Sequence, residues 1–162
     1  NNRPQAHVAT TDASPDALAV ARSNAQQLGL NVQFYQSQPE QHGGTWWESV
    51  PTTHQWDVVV SNPPYIVDHD PHLANLQHEP SMALTSGSDG LNAIRWIVAG
   101  APSHLKTGAW LLLEHGYHQA EQVQALLQAQ GFSQVQTRQD LAGVNRCTGG
   151  QWLGQHLEQN LV

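Results

Sequence analysis

A short apolar strand that runs straight into a proline-rich turn is the feature that most limits the fold of this chain. The run Trp56–Val60 predicts a strand buried on both faces, of the kind found in parallel sheets between layers of helices. Ser61-Asn62-Pro63-Pro64-Tyr65-Ile66 follows it at once. Because proline fixes φ and has no backbone N–H, the chain leaves the sheet here with a backbone that offers carbonyl acceptors only.

Strand and helix signals alternate along the rest of the chain. Further strands are predicted at His7–Thr11 (closing on Asp12), Val32–Tyr35, Gly108–Glu114, Phe132–Arg138 and Gly150–Leu153. Helices are predicted from the N-cap Ser14 to Gly29, at Asp89–Ala101, and at His118–Gln130 with Gly131 as its cap. Residues 36–55 and 66–88 are predicted as loops. The alternation predicts an α/β fold with a mostly parallel sheet, and no domain boundary divides residues 1–162, so we expect a single domain.

Composition narrows the class of protein. The 162 residues suffice for one core, and no apolar run approaches the ~20 residues of a membrane span. A net charge of −7 with only six Lys and Arg weighs against nucleic acid as a direct substrate. The single cysteine, Cys147, and a start at Asn1 without a signal-peptide pattern indicate a cytoplasmic protein. The missing initiator Met indicates a piece of a longer protein.

The turn after Trp56–Val60 has the groups needed to hold a planar –NH₂. In open parallel sheets, ligands bind outside the carboxyl ends of the strands. The side-chain carbonyl of Asn62 and the backbone carbonyl of Pro63 can each accept one of its protons, and Tyr65 can lie against its flat face. Two acceptors favour the positively charged nitrogen that develops during methyl transfer. We therefore predict a nitrogen methyltransferase, the alternative being a rigid turn with no chemical role.

Two further places are candidates for binding a nucleoside cofactor. Asp12 ends a predicted strand just before a helix, where α/β folds place the carboxylate that accepts both ribose hydroxyls. Alternatively, Asp12 caps that helix beside Ser14. Trp46 and Trp47 lie in the loop before the third strand, where a ring either stacks on an adenine or anchors the loop on the core.

Other polar residues lead to predictions about pairing, metal binding and nucleophilic chemistry. Glu114 ends an apolar strand, so it is expected to have a polar partner or to face a pocket. The pairs His69/His72 and His115/His118 lack a third ligand at metal-binding spacing, and we predict no metal site. No base lies beside Cys147 in the sequence, which disfavours a nucleophilic role.

Together these motifs resemble the C-terminal catalytic domain of the HemK/PrmC family, the protein-(glutamine-N5) methyltransferases of peptide chain release factors. Asn-Pro-Pro-Tyr alone is shared with adenine and ribosomal methyltransferases, whereas the Glu-Pro and Leu-Leu-Leu-Glu-His-Gly segments are more specific. The matching segments are Thr11–Leu18, Ala21–Ala25, Ser61–Ile66, Glu79-Pro80 with Ala83-Leu84, Ser88–Leu91, Leu111–Gly116, and Asp140–Gly143 with Arg146.

The resemblance implies a class I, S-adenosylmethionine-dependent, Rossmann-like methyltransferase with helices on both faces of its sheet. Its cofactor would be S-adenosylmethionine and its protein substrate a class I release factor, whose methylation modulates translation termination. Asp12 would match the ribose-binding carboxylate, and Gly44-Thr45-Trp46 the segment near the adenine, with Trp47 as the alternative alignment. The catalytic, glutamine-binding residues would be Asn62, Pro63, Pro64 and Tyr65, with Asn62 also near the methyl donor.

The sequence departs from the family at its N-terminal end. The Gly-rich loop expected before Asp12 is absent together with its strand, as is the family's N-terminal helical domain. The fold is therefore expected to be truncated, with two unpaired strand edges and poor stability or activity unless another chain fills the gap. The alternatives are a nucleic-acid amino-methyltransferase acting on adenine or rRNA, and an inactive fragment.

Overall fold

The computed structural model describes residues 5–38, 46–68, 70–71 and 83–154. The chain divides into two compact units, unit 1 (Asn1–Pro51) and unit 2 (Thr52–Val162), and each is described by itself. The division into two units does not test whether residues 1–162 form a single domain, which stays a prediction. In the described ranges, no helix combines the length and the apolar character needed to cross a membrane.

The described elements follow the predicted alternation of strands and helices. In chain order they are β1 (Val8–Asp12), α1 (Pro15–Gln27), β2 (Val32–Gln36), β3 (Trp56–Ser61), α2 (Asn92–Gly100), a 3-10 turn (Ala101–Ser103), β4 (Leu105–Glu114), α3 (Ala120–Ala129), β5 (Ser133–Gln139) and β6 (Asn145–Trp152).

Unit 1 is a β-α-β arrangement whose helix begins and ends as its local sequence predicts. Strands β1 and β2 pair in parallel, so that Asp12 lies opposite Gln36 at their carboxyl ends. The Ser14 Oγ accepts a hydrogen bond from the Ala17 N–H at 3.2 Å and caps α1. Gly29 follows the helix with φ +62°, a conformation that suits glycine.

Unit 2 contains a four-stranded mixed sheet in the order β3-β4-β6-β5. Strand β3 is parallel to β4, whereas β6 is antiparallel to both β4 and β5. Helix α3 packs against β5 and β6. The core includes the fully buried side chains of Leu111 and Leu113 from β4 and of Val123 and Leu127 from α3. Strand β6 alone therefore runs opposite to the other three strands, because β5, antiparallel to β6, runs in the same direction as β3 and β4.

The prediction that β3 is buried on both faces is wrong in this structure. Val58 is 53% exposed and Val60 is 72% exposed. Alternate side chains of a strand share one face, and the face that carries these two is open in the described part of unit 2. Their register partners on β4 are Trp110 and Leu112, which are only half-buried.

Of the element boundaries that differ from the predictions, three have local reasons. The last strand begins at Asn145 rather than Gly150, because its polar and glycine residues are held by pairing with β4 and β5. Helix α2 begins at Asn92 rather than Asp89, since Gly90 has φ +72°. Helix α3 begins at Ala120, after a turn in which the Gln119 N–H donates to the Gly116 carbonyl.

Candidate active site

The segment Asn62–Tyr65, which we call the acceptor motif, follows β3 directly. Ser61, the last residue of β3, pairs with Leu113 of the parallel strand β4. Within the motif Asn62 is exposed and Pro63 is buried, while Pro64 and Tyr65 are half-buried. The motif therefore lies at the carboxyl end of a parallel strand pair, as predicted, and it presents Asn62 to solvent.

The chain beyond the acceptor motif is held by a short parallel bridge. Ile66 donates its N–H to the Leu84 carbonyl at 2.9 Å and accepts from the Ser86 N–H at 2.9 Å. The buried Ser86 Oγ in turn accepts from the Ala93 N–H at 2.7 Å, in the first turn of α2. The end of the motif is thus tied to the segment that leads into α2.

Gln119 is a residue of this site that the sequence reasoning missed. Its side-chain Nε2 donates to the Tyr65 carbonyl at 3.1 Å. The resemblance included Leu111–Gly116 and stopped three residues short of Gln119. A glutamine that follows a glycine turn gives no local signal of a contact with a residue 54 positions earlier.

In unit 1, Asp12 makes the contact expected of a capping residue. Its Oδ1 accepts a hydrogen bond from the Ser14 N–H at 2.8 Å, next to the helix cap. Its backbone carbonyl accepts from the Ser37 N–H at 3.0 Å, which joins the ends of β1 and β2. Asp12 Oδ2 has no hydrogen-bond partner among the described residues, and the role of Asp12 in binding ribose stays a prediction.

Unit 1 also contains buried polar side-chain atoms that have no hydrogen-bond partner among the described residues. Ser37 Oγ, Trp46 Nε1 and Ser49 Oγ are buried, and no acceptor or donor for them is found among the residues that the structure describes. Trp46 and Trp47 are half-buried, and the Trp47 carbonyl accepts from the Val50 N–H at 2.9 Å. Buried polar atoms without protein partners are what a polar ligand would satisfy. Gly44 and Thr45 lie outside the described residues.

Glu114 and Cys147 lie opposite each other on β4 and β6. Burial, and secondarily the negative charge of Glu114, raise the pKa of the Cys147 thiol. At a given pH, less of this thiol is therefore present as the nucleophilic thiolate. Glu79 and Pro80, which belong to the resemblance, lie outside the described residues.

Both ring nitrogens of His115, one member of the pair His115/His118, lie within hydrogen-bonding distance of protein oxygens. His115 Nδ1 lies 2.8 Å from the Gly116 carbonyl and Nε2 lies 2.7 Å from Thr148 Oγ1. In the ranges that the structure covers, no group of three or more His, Cys, Asp or Glu side chains is placed to hold a metal ion. His69 and His72 lie outside those ranges.

The alternating strands and helices and the Asn-Pro-Pro-Tyr turn at the end of β3 are features of a methyltransferase fold. The chain belongs to the methyltransferase small domain family, whose model matches residues 1–140. It is 46% identical over 149 residues to the release factor glutamine methyltransferase of Bordetella pertussis, covering 91% of this chain and 53% of that protein. It is 45% identical over 159 residues to that of Neisseria gonorrhoeae, covering 96% of this chain and 55% of that protein. The family resemblance predicted from the motifs is confirmed.

The chain spans about half the length of the curated relatives it matches. Among solved structures, a methyltransferase from Pyrococcus furiosus superposes with a TM-score of 0.66 at 19% identity, covering 92% of this chain and 64% of that one. This likeness shows the shared fold, and the predicted class I methyltransferase fold is confirmed.

Proposed function

We propose that this chain provides the acceptor site of an S-adenosylmethionine-dependent methyltransferase that modifies a glutamine side-chain amide in class I peptide chain release factors. Its action in the cytoplasm would modulate translation termination. The observation that supports this most is the placement of the acceptor motif at the carboxyl end of β3, with Asn62 exposed. The similarity to release factor glutamine methyltransferases favours a protein glutamine over a nucleic-acid amine.

The acceptor motif supplies what a weak nitrogen nucleophile needs. The lone pair of an amide nitrogen is delocalised, so its attack on a methyl group develops positive charge on nitrogen. The side-chain carbonyl of Asn62 and the backbone carbonyl of Pro63 would accept the two N–H groups and stabilise that charge. Tyr65 would hold the plane of the amide. The methylated nitrogen is strongly acidic and loses its proton to water beside the exposed Asn62, so no strong base is required.

The residues of unit 1 are compatible with a nucleoside cofactor. Asp12 would accept the ribose hydroxyls through the carboxylate oxygen that Ser14 does not use. Trp46 or Trp47 would lie against the adenine, and the buried Trp46 Nε1 and Ser37 Oγ are available as polar partners. Asn62 would also lie near the methyl donor. S-adenosylmethionine, when bound, supplies an electrophilic methyl group on its sulfonium.

The experiment uses the chain in two forms. In the first, the 162 residues are purified alone; in the second, they replace the matching stretch of the Bordetella pertussis relative. Each form is incubated with methyl-labelled S-adenosylmethionine and either a class I release factor or ribosomal RNA. Mass spectrometry then locates the label. We expect the grafted form to methylate one glutamine of the release factor, and the chain alone to do so weakly or not at all.

Two results would contradict the proposal. The first is a grafted protein that folds and binds the cofactor but leaves the release factor unlabelled, while the unaltered relative labels it. The second is label on the RNA with none on the protein, which would favour a nucleic-acid amino-methyltransferase.

A further inference from the structure

Gln119 has a buried side chain whose amide is hydrogen-bonded to three separate backbone segments. The residue is 0% exposed and immediately precedes α3. Its Oε1 accepts from the Gly116 N–H at 2.8 Å. Its Nε2 donates to the Tyr65 carbonyl at 3.1 Å and to the Asp89 carbonyl at 3.2 Å. The amide thus uses both of its N–H groups and joins the acceptor motif, the turn before α2 and the loop after β4.

Two glycines leave the space that this amide occupies. A Cβ added at Gly90 would overlap the Tyr65 carbonyl and lie 2.7 Å from Gln119 Nε2. Gly90 also has φ +72°, which disfavours any other residue. A Cβ at Gly116 would lie 3.0 Å from Gln119 Oε1. The backbone around Gln119 is therefore packed closely on both sides of its amide.

The acceptor motif depends on such outside support because its own backbone has few donors. Pro63 and Pro64 have no N–H to give to a neighbouring strand. On one side, Ser61 is held in the sheet by its pairing with Leu113, and on the other, Ile66 is held by the bridge to Thr85. Between these two points, the hydrogen bond from Gln119 holds the Tyr65 carbonyl, and so helps to fix the plane of the peptide group between Tyr65 and Ile66.

We propose that Gln119 is a positioning residue for methyl transfer, acting through Tyr65 to hold the acceptor motif in its reactive geometry. This inference rests on the proposed function. A displacement of about 1 Å at a reacting centre can reduce a rate on the order of 100-fold. Loss of the Gln119 hydrogen bonds should therefore lower kcat while leaving the KM for S-adenosylmethionine unchanged, because Asp12 and Trp46 or Trp47 are the residues proposed to hold its ribose and adenine.

The test compares Gln119, which immediately precedes α3, with a glutamine inside that helix. Gln119→Met keeps the length of the side chain and removes its hydrogen bonds. The matched control is Gln124→Met, since Gln124 of α3 is half-buried and donates to Thr137 Oγ1 at 2.7 Å, away from the acceptor motif. Amide hydrogen exchange is measured by mass spectrometry in the 162-residue chain. We expect exchange in peptides covering residues 61–68 to rise about tenfold in Gln119→Met and little in Gln124→Met.

Kinetics are measured in the form of the protein that transfers methyl groups. Gln119→Met should lower kcat on the order of 100-fold with an unchanged KM for S-adenosylmethionine. Gln119→Glu tests the same idea without shortening the side chain, because its carboxyl can donate to Tyr65 only when protonated. The activity of Gln119→Glu relative to the wild type should therefore rise as the pH is lowered from neutral. If Gln119→Met does not fold, this pH dependence tests the role of Gln119 instead.

Three results would overturn the inference. The first is an equal exchange rate of residues 61–68 in the two Met variants, and the second is an exchange rate in Gln119→Met that rises equally in the acceptor motif, β5 and β6. The third is an activity of Gln119→Glu, relative to the wild type, that does not change with pH. If the unsubstituted protein transfers no methyl group, the proposed function fails. The exchange comparison still decides whether Gln119 holds the acceptor motif.

Discussion

The imidazole Nε2 of His115 lies 2.7 Å from the Oγ1 of Thr148, and both side chains are fully buried in unit 2. Thr148 Oγ1 also lies 2.7 Å from Thr137 Oγ1, which accepts from Gln124 Nε2 at 2.7 Å. This chain of hydrogen bonds joins the loop after β4 to β6, β5 and α3. Because His115 and Thr148 are fully buried, removing either one leaves the other without this partner, at a cost above that of the lost bond itself.

Thr148→Val keeps the shape of the side chain and removes the hydroxyl that His115 and Thr137 share. We expect it to lower the free energy of unfolding by about 1–3 kcal/mol, because buried polar groups lose their partner. Urea unfolding of the purified chain measures this. Thr107→Val is the control, since Thr107 is exposed on β4 and should change stability by less than ~0.5 kcal/mol. Equal effects of the two variants would contradict the prediction.

Gly90→Ala tests the close packing around the Gln119 amide. Gly108→Ala serves as the comparison, because Gly108 has φ +88° but nothing lies within 4 Å of an added Cβ. Both variants share the backbone strain of positive φ, about 1–2 kcal/mol. Gly90→Ala adds an overlap with the Tyr65 carbonyl, so we expect it to lower the free energy of unfolding by at least ~1 kcal/mol more. Thermal or urea unfolding of the pair checks this, and similar losses would be inconsistent with it.

Asn62→Ala removes the side-chain carbonyl that is proposed to accept an N–H of the substrate glutamine. Methyl transfer should fall on the order of 100-fold, the effect of losing one preorganised electrostatic contact to a transition state. The midpoint of unfolding should stay unchanged because Asn62 is exposed. Initial rates with labelled S-adenosylmethionine measure the first effect, and Asn145→Ala, also exposed, controls for the substitution itself. Wild-type rates in Asn62→Ala would exclude a role for this side chain.

Cys147 should react slowly with iodoacetamide. Burial, and then the charge of Glu114, raise the pKa of its thiol, so less thiolate is present at a given pH than for a free cysteine. Glu114→Gln removes the second cause and should shift the pH profile of alkylation toward lower pH. The rate measured across mildly alkaline pH in both proteins tests this. If the two profiles coincide, Glu114 does not act on the thiol.

The ion pair between Asp89 and Arg95 should make stability dependent on acid pH. The hydrogen bond from Arg95 lowers the pKa of Asp89 in the folded chain. Because the pKa of Asp89 is lower in the folded chain than in the unfolded chain, the pair stabilises the fold when the pH is above the pKa of the unfolded chain. This stabilisation is lost as the pH falls through the pKa of the folded chain. The effect is small since the Asp89 and Arg95 side chains are 39% and 42% exposed.

Asp89→Asn isolates this contribution, because its side-chain oxygen can still accept from the Leu91 N–H as Asp89 does. The variant should lose less stability than the wild type between neutral and strongly acidic pH. Urea midpoints at both pH values and low salt measure the difference, which should shrink when salt is added. An identical pH dependence in the two proteins would show that the pair does not contribute.

Features that depend on a few neighbouring residues were predicted well. Ser14 caps α1 through a hydrogen bond to Ala17, and Gly29 and Gly131 end their helices with positive φ. The placement of the acceptor motif at the end of β3 was likewise predicted from an apolar run followed by prolines. In each case the controlling interaction lies within one helical turn or one strand, so the sequence contains it directly.

The alternation of strands and helices, the family resemblance and the acceptor motif were thus determined by the sequence alone. Only the tertiary structure decided that Val58 and Val60 are exposed, that β6 begins at Asn145, and that Gln119 holds Tyr65. The exposure of a side chain depends on which segments cover its face of the sheet, and the length of a strand depends on the strands that pair with it. The hydrogen bonds of a buried amide depend on backbone groups that other parts of the chain bring to it. Gln119 and Tyr65 are 54 positions apart, and folding alone makes them neighbours.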